Sequence, residues 1–128
     1  MASSTTYWTV PASTLPAGSQ LYRDDDAGAT CRDVLAASGQ IVKLVVDNTG
    51  NTGAACWVKF YNAAASAVTV GTTVPWAIIK VKAGTELTLL CKGLSFSTNL
   101  SVAVVVTGGT GGSTGPTNDV TLRVFTTT

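Results

Sequence analysis

The chain has 128 residues, a net charge of +1, 45% hydrophobic side chains and only 12% charged ones. That length fits one domain with a real core, and the near-neutral charge gives no electrostatic footing for nucleic acid or membrane binding. With no histidine anywhere, Ser–His and Cys–His nucleophiles cannot be assembled, and a zinc site is not expected.

The opening MASSTTYWTV has no basic start and no apolar run of the secretion-signal kind. The expectation is a soluble product made in a cytoplasm, where thiols stay reduced. TYWTV and QLYR are candidate strands on either side of a loop bearing Pro11 and Pro16. Asp24-Asp25-Asp26 reads as a solvated loop, because one short run brings too few converging oxygens for a metal. CRDVLAAS (31–38) is the single helical candidate, one or two turns long. Residues 1–40 are less periodic than the rest. They are expected to form an arm or edge strands on a core spanning 41–128, within one domain overall.

From Ile41 onward the period is two. In IVKLVVDN, Val42, Leu44 and Val46 share a face opposite Ile41, Lys43 and Val45; in CWVKFY, Cys56, Val58 and Phe60 oppose Trp57, Lys59 and Tyr61. In WAIIKVKA, Ala77, Ile79 and Val81 oppose Ile78, Lys80 and Lys82; in ELTLLCK, Leu87, Leu89 and Cys91 oppose Glu86, Thr88 and Leu90. LSVAVVV and VTLRVF continue the alternation. Such runs, rich in Val, Ile and Thr, are strands. DNTGNTG (47–53), Ala83-Gly84 and Lys92-Gly93 supply turns, and TGGTGGSTGPTND (107–119) reads as a flexible connector. The expected fold is all-β: an antiparallel β-sandwich of seven or eight short strands, with a jelly roll as one arrangement of them.

Little in this pattern supports chemistry. The carboxylates outside the Asp run lie beside turns or on a lysine-bearing face, where solvation explains them, so no enzyme activity, metal or cofactor is expected. The glycines of the late loop do not form GxGxxG, and no Lys-Ser/Thr follows. Cys31, Cys56 and Cys91 are far apart and odd in number; buried free thiols are the expectation, with a Cys56–Cys91 bridge left open. Trp57 and Tyr61 alternate with the core-facing residues, and Ile78 does the same with Trp76 at its strand entrance. Such a partly apolar outer surface marks contact with another protein unless the N-terminal strands cover it. Trp57, Tyr61, Trp76 and Ile78 are therefore the candidate interface residues.

VKFYNAAASAVTVGTTVPWAIIKVKAG, KGLSFSTNLSVAVV and DVTLRVF together resemble a family of small tailed-bacteriophage virion structural proteins. The pattern falls on Lys59, Tyr61, Asn62, Gly71, Thr72, Pro75, Ala83, Gly84, Gly93, Phe96, Ser97 and Leu100. It covers residues 57–125, and the sequence departs from it at the glycine-rich late loop. The resemblance implies a particle component with no catalytic residues. The expected role is a capsid decoration or cement protein on the virion exterior, bound to the major capsid protein and to itself, as a homotrimer first and a dimer second. Two rivals remain: a head–tail adaptor, and a tail or head-fibre component that binds host carbohydrate through Trp8, Tyr22 and Asp24–Asp26.

Overall fold

The computed structural model describes residues 15–128. Trp8 and the strand expected at TYWTV lie outside the described residues. The elements are β1 (Gln20–Ala27), β2 (Arg32–Leu35), β3 (Gly39–Asp47), β4 (Cys56–Tyr61), β5 (Ala77–Val81), β6 (Glu86–Phe96), β7 (Leu100–Val105) and β8 (Val120–Thr127). They form two four-stranded antiparallel sheets, ordered β1-β8-β3-β6 and β2-β7-β4-β5. A single 3₁₀ turn at Ala65–Ala67 is the one helical element among the described residues.

Both sheets contribute to one core. Cys56, Val58 and Phe60 of β4 and Val102 and Val104 of β7 meet Leu44, Val46, Leu122 and Val124 from the other sheet. All are essentially inaccessible to solvent. Burying a side chain of this kind contributes about 1.5–3 kcal/mol, so these two pairs of central strands dominate the folding free energy. All three thiols are free, which closes the question of a Cys56–Cys91 bridge.

Three local expectations need correction. The helical candidate 31–38 is instead β2, with Arg32 opposite Val102 and Asp33 opposite Ser101 of β7. Its apolar residues are too few to stabilise an isolated helix, whereas β7 offers a ladder of backbone partners. The Asp run is not a loop but the end of edge strand β1, where the register shifts between Asp24 and Ala27. In β3, Ile41 opposes Thr126 of β8, while Lys43 already opposes Phe125. Val42 is thus the extra residue of a β-bulge, and parity reverses across it. Ile41, and not Val42, joins the core with Leu44 and Val46.

One end of the molecule is closed by an asparagine network. The DNTGNTG turn is held to the β5–β6 turn by Asn48 N–H donating to Thr85 O (2.9 Å) and Gly84 N–H donating to Asn51 O (2.9 Å). Asn51 also bonds Asn118 in both directions, through Nδ2 to the carbonyl (3.0 Å) and from the amide to Oδ1 (2.9 Å). Three turns far apart in sequence are thereby locked together. Buried Asn48 and Asn51 find full partnership, as buried amides must.

Candidate functional site

Alternation on β4 sends Trp57, Lys59 and Tyr61 to the outer face of their sheet, opposite Val105, Ala103 and Ser101 of β7. This outer face is not open. Lys59, Tyr61, Ser101, Ala103 and Val105 are all at most 2% exposed. Among the described residues the cover is made by loops; the N-terminal TYWTV strand considered for it lies outside them.

The glycine-rich connector between β7 and β8 lies directly on this face. Lys59 Nζ donates to the carbonyls of Gly112 (2.6 Å) and Thr110 (3.2 Å). A Cβ at Gly108 would stand 2.8 Å from Trp57 Nε1, so the backbone passes against the indole. A Cβ at Gly112 would stand 2.2 Å from the Thr107 carbonyl, which only glycine permits. The expectation of a flexible connector is therefore corrected to a packed roof. The segment 62–75 forms the second half of the cover. Asn62 Nδ2 donates to Ser97 Oγ (3.0 Å), Ser101 Oγ donates to the Ala63 carbonyl (2.8 Å), and the Ala65 amide donates to Asp33 Oδ1 (2.7 Å). Gly71, at φ +95°, brings its backbone against Ser113 of the glycine-rich loop. Small residues between Asn62 and Gly71 allow this close approach.

The electrostatics follow from burial. Lys59 is a buried ammonium held by carbonyl dipoles, and desolvation pulls its pKa below the ordinary lysine value. Burial, reinforced by the Cys31 thiol, raises the Tyr61 phenol above its usual range. The Tyr61 hydroxyl is the one buried side-chain polar atom among the described residues with no hydrogen-bond partner. Burial also pushes the Cys56 thiol up to about 11.

The four expected interface residues separate. Tyr61 is 1% exposed and offers no surface to another chain. Trp76 turns inward, its ring edge-on to Phe96 with centroids 6.2 Å apart, and packs against the core. Trp57 is half-buried, with Lys80 Nζ 5.4 Å from its ring centroid. Ile78, opposite Lys59 on edge strand β5, is 38% exposed. Sequence reasoning missed Lys59 because a lysine in an alternating strand looks solvated; the glycine run that covers it was the available signal.

A second polar cluster joins the edge strands β1 and β2. Arg32 of β2 reaches β1, its Nη1 donating to Asp24 Oδ1 (2.7 Å) and Asp26 Oδ1 (2.8 Å). These carboxylates raise the Arg32 pKa, and Arg32 in turn lowers that of Asp26. Tyr22 donates its hydroxyl to Asp24 Oδ2 (3.2 Å), and burial with the nearby carboxylate pushes its pKa up to about 12. The arrangement is a clasp joining the edges of the two sheets. Tyr22 and Asp24, drafted for a sugar platform, are consumed by it, and Trp8 lies outside the described residues. No group of three or more metal-ligating side chains occurs among the described residues. No helix among them is long and apolar enough to cross a membrane.

Fold and site together define an all-β protein whose buried polar groups hold its own covers and edges in place. The chain matches no family model, no curated protein and no solved structure. The descriptions bacteriophage, virion, capsid, decoration and cement protein are accordingly corrected: nothing in these comparisons supports them. The residue pattern behind them consists of turn and strand positions. Asn62, Gly71 and Gly84 are each explained by the local contacts of this chain.

Proposed function

We propose that the chain is a non-catalytic structural module, a β-sandwich that joins repeating protein subunits and copies of itself within a larger assembly. Its strand order, 1-8-3-6 against 2-7-4-5, supports reading it as an eight-stranded jelly roll, an architecture shared by shell-forming proteins, lectins and cupins. Architecture alone does not choose among these. The observation that carries the reading is how the side chains are used. Lys59, Arg32, Asp24, Asn48 and Asn51 are occupied in holding the scaffold, while Val74, Ile78, Leu89 and Leu90 remain exposed on or beside the β5 and β6 edges.

A module of this kind works by adding buried area across the junctions of its neighbours, about 1,600 Å² for one contact of standard size. Closed symmetry multiplies such contacts, with a ring of three as the first expectation and a pair as the second. Sedimentation velocity on the purified chain tests the reading. A species heavier than one chain is expected at concentrations above about 10 μM, the order at which a modest interface of about 7 kcal/mol is populated. A chain that stays monomeric at a hundredfold higher concentration overturns it.

A further inference from the structure

The two lateral sides of the molecule differ in charge. One side is formed by β1 and β2, which the Arg32 clasp brings edge to edge. It carries Asp24, Asp25, Asp26 and Asp33 against Arg23 and Arg32. Four carboxylates less two guanidiniums leave a net of two negative charges. The other side is formed by β5 and β6, joined by a tight turn. It carries Lys80, Lys82 and Lys92 against Glu86, a net of two positive charges. All four of these side chains are exposed, as are Asp25, Asp26 and Asp33.

The strand directions match this polarity. Every neighbouring pair in the sheet β1-β8-β3-β6 is antiparallel, so β1 and β6 run in opposite directions, and the same holds for β2 and β5. A second copy in the same orientation, set beside the first, brings its β1 antiparallel to β6 and its β2 antiparallel to β5. Both sheets continue at once. Strand edges carry unpaired N–H and C=O groups that take an added strand readily. Like pairing of two β5–β6 sides would instead oppose lysines to lysines.

We propose that the chain associates head to tail with a second copy, the acidic β1–β2 side of one against the basic β5–β6 side of the next. This rests on the structural-module reading and specifies its self-contact. Leu89 and Leu90, 36% and 58% exposed, supply the apolar part of the contact on β6. A heterologous contact of this kind closes into a ring or runs on as a filament, and it cannot stop at a symmetric pair.

Charge reversal on each side separates the possibilities. Asp25→Lys leaves the Asp24–Arg32 clasp intact, because Asp25 accepts from Arg23 beside it and takes no part in the clasp. Lys92→Glu reverses the other side. Each variant alone is expected to weaken self-association about tenfold or more in sedimentation velocity. An equimolar mixture of the two regains one wild-type pairing, the unaltered acidic side of Lys92→Glu against the unaltered basic side of Asp25→Lys, and so gives a two-chain complex. Raising the salt from about 0.05 M to about 0.5 M weakens the wild-type contact as well, since exposed charges are screened over a few ångströms. If Asp25→Lys associates as the wild type does while Lys92→Glu does not, the contact is symmetric through β5–β6 and the proposal fails. If the chain oligomerises with no response to either variant, the proposal also fails while the module reading stands. A wild-type chain that never associates removes both.

Discussion

Replacing Lys59 by methionine and, separately, by alanine isolates what the buried ammonium contributes. The ammonium donates to two backbone carbonyls, and hydrogen bonds to a charged group contribute about 1.5–3 kcal/mol each. Against that stands the desolvation of an ammonium, which costs several kcal/mol even after relaxation. The two nearly cancel. Methionine keeps the length of the stem, leaves the half-exposed Thr110 carbonyl to water and orphans the buried carbonyl of Gly112. Lys59→Met should therefore change the unfolding free energy by less than about 2 kcal/mol. Alanine also removes three methylene-sized groups from a fully buried site, and at about 0.8 kcal/mol each this adds about 2–3 kcal/mol of loss. Urea unfolding followed by tryptophan emission measures both. Hydrogen exchange should show the amides of 107–115 losing protection in both variants, since the latch is gone in each. If methionine proves as costly as alanine, the ammonium bonds outweigh desolvation and the cancellation is wrong. If the loop amides keep their protection in the methionine variant, Lys59 is not what holds the roof down.

Two further outcomes follow from the same buried groups. Tyr61→Phe removes a hydroxyl that has no partner, so stability should stay unchanged or rise by about 1 kcal/mol in urea titration; a clear loss would mean the hydroxyl is bonded after all. The Cys56 thiol is raised by burial from 9.0 to about 11, so the unfolded chain ionises first. Stability is then complete below about pH 9 and is lost as pH rises toward about 11, by about 3 kcal/mol in all. Cys56→Ala should flatten that part of the profile, and an unaltered slope would count against a buried, un-ionised thiol.

Much of the framework was legible in the chain because sheet burial has a strict period. Cys56, Val58 and Phe60 point inward as their spacing requires, and so do Ala77, Ile79 and Val81. The failure at β3 shows the limit of that rule. Ile41 and Val42 are both apolar and β-branched, so nothing in their chemistry says which one the bulge displaces. Residues 31–38 failed for a different reason. A short stretch with weak preferences is decided by its neighbour, and β7 lies some seventy positions away in the chain. The asparagine hub is intermediate: its composition announced a turn, but the bonds from Asn51 to Asn118 that make it a junction are long-range.

The candidate site was harder to read because its cover is made of residues that look idle. Glycine, serine and threonine between 107 and 115 suggest a loose connector, since such residues bury little and tolerate many backbone angles. They are ordered here because small residues let the backbone come close enough for Lys59 to reach its carbonyls and for Trp57 to lie against Gly108. The same compactness explains why a string of alanines precedes Gly71. The outer face of the β4–β7 pair is therefore spent on the chain itself, and any contact with another molecule must use what remains. The four strand edges are part of what remains, beside the outer face of the β1-β8-β3-β6 sheet. One side joins its edges with a charged clasp and carries surplus carboxylate; the other leaves Leu89 and Leu90 exposed between lysines. A monomer has no need of edges that differ in this way, whereas a chain of copies running in one direction does, because each copy must present one kind of edge and receive the other.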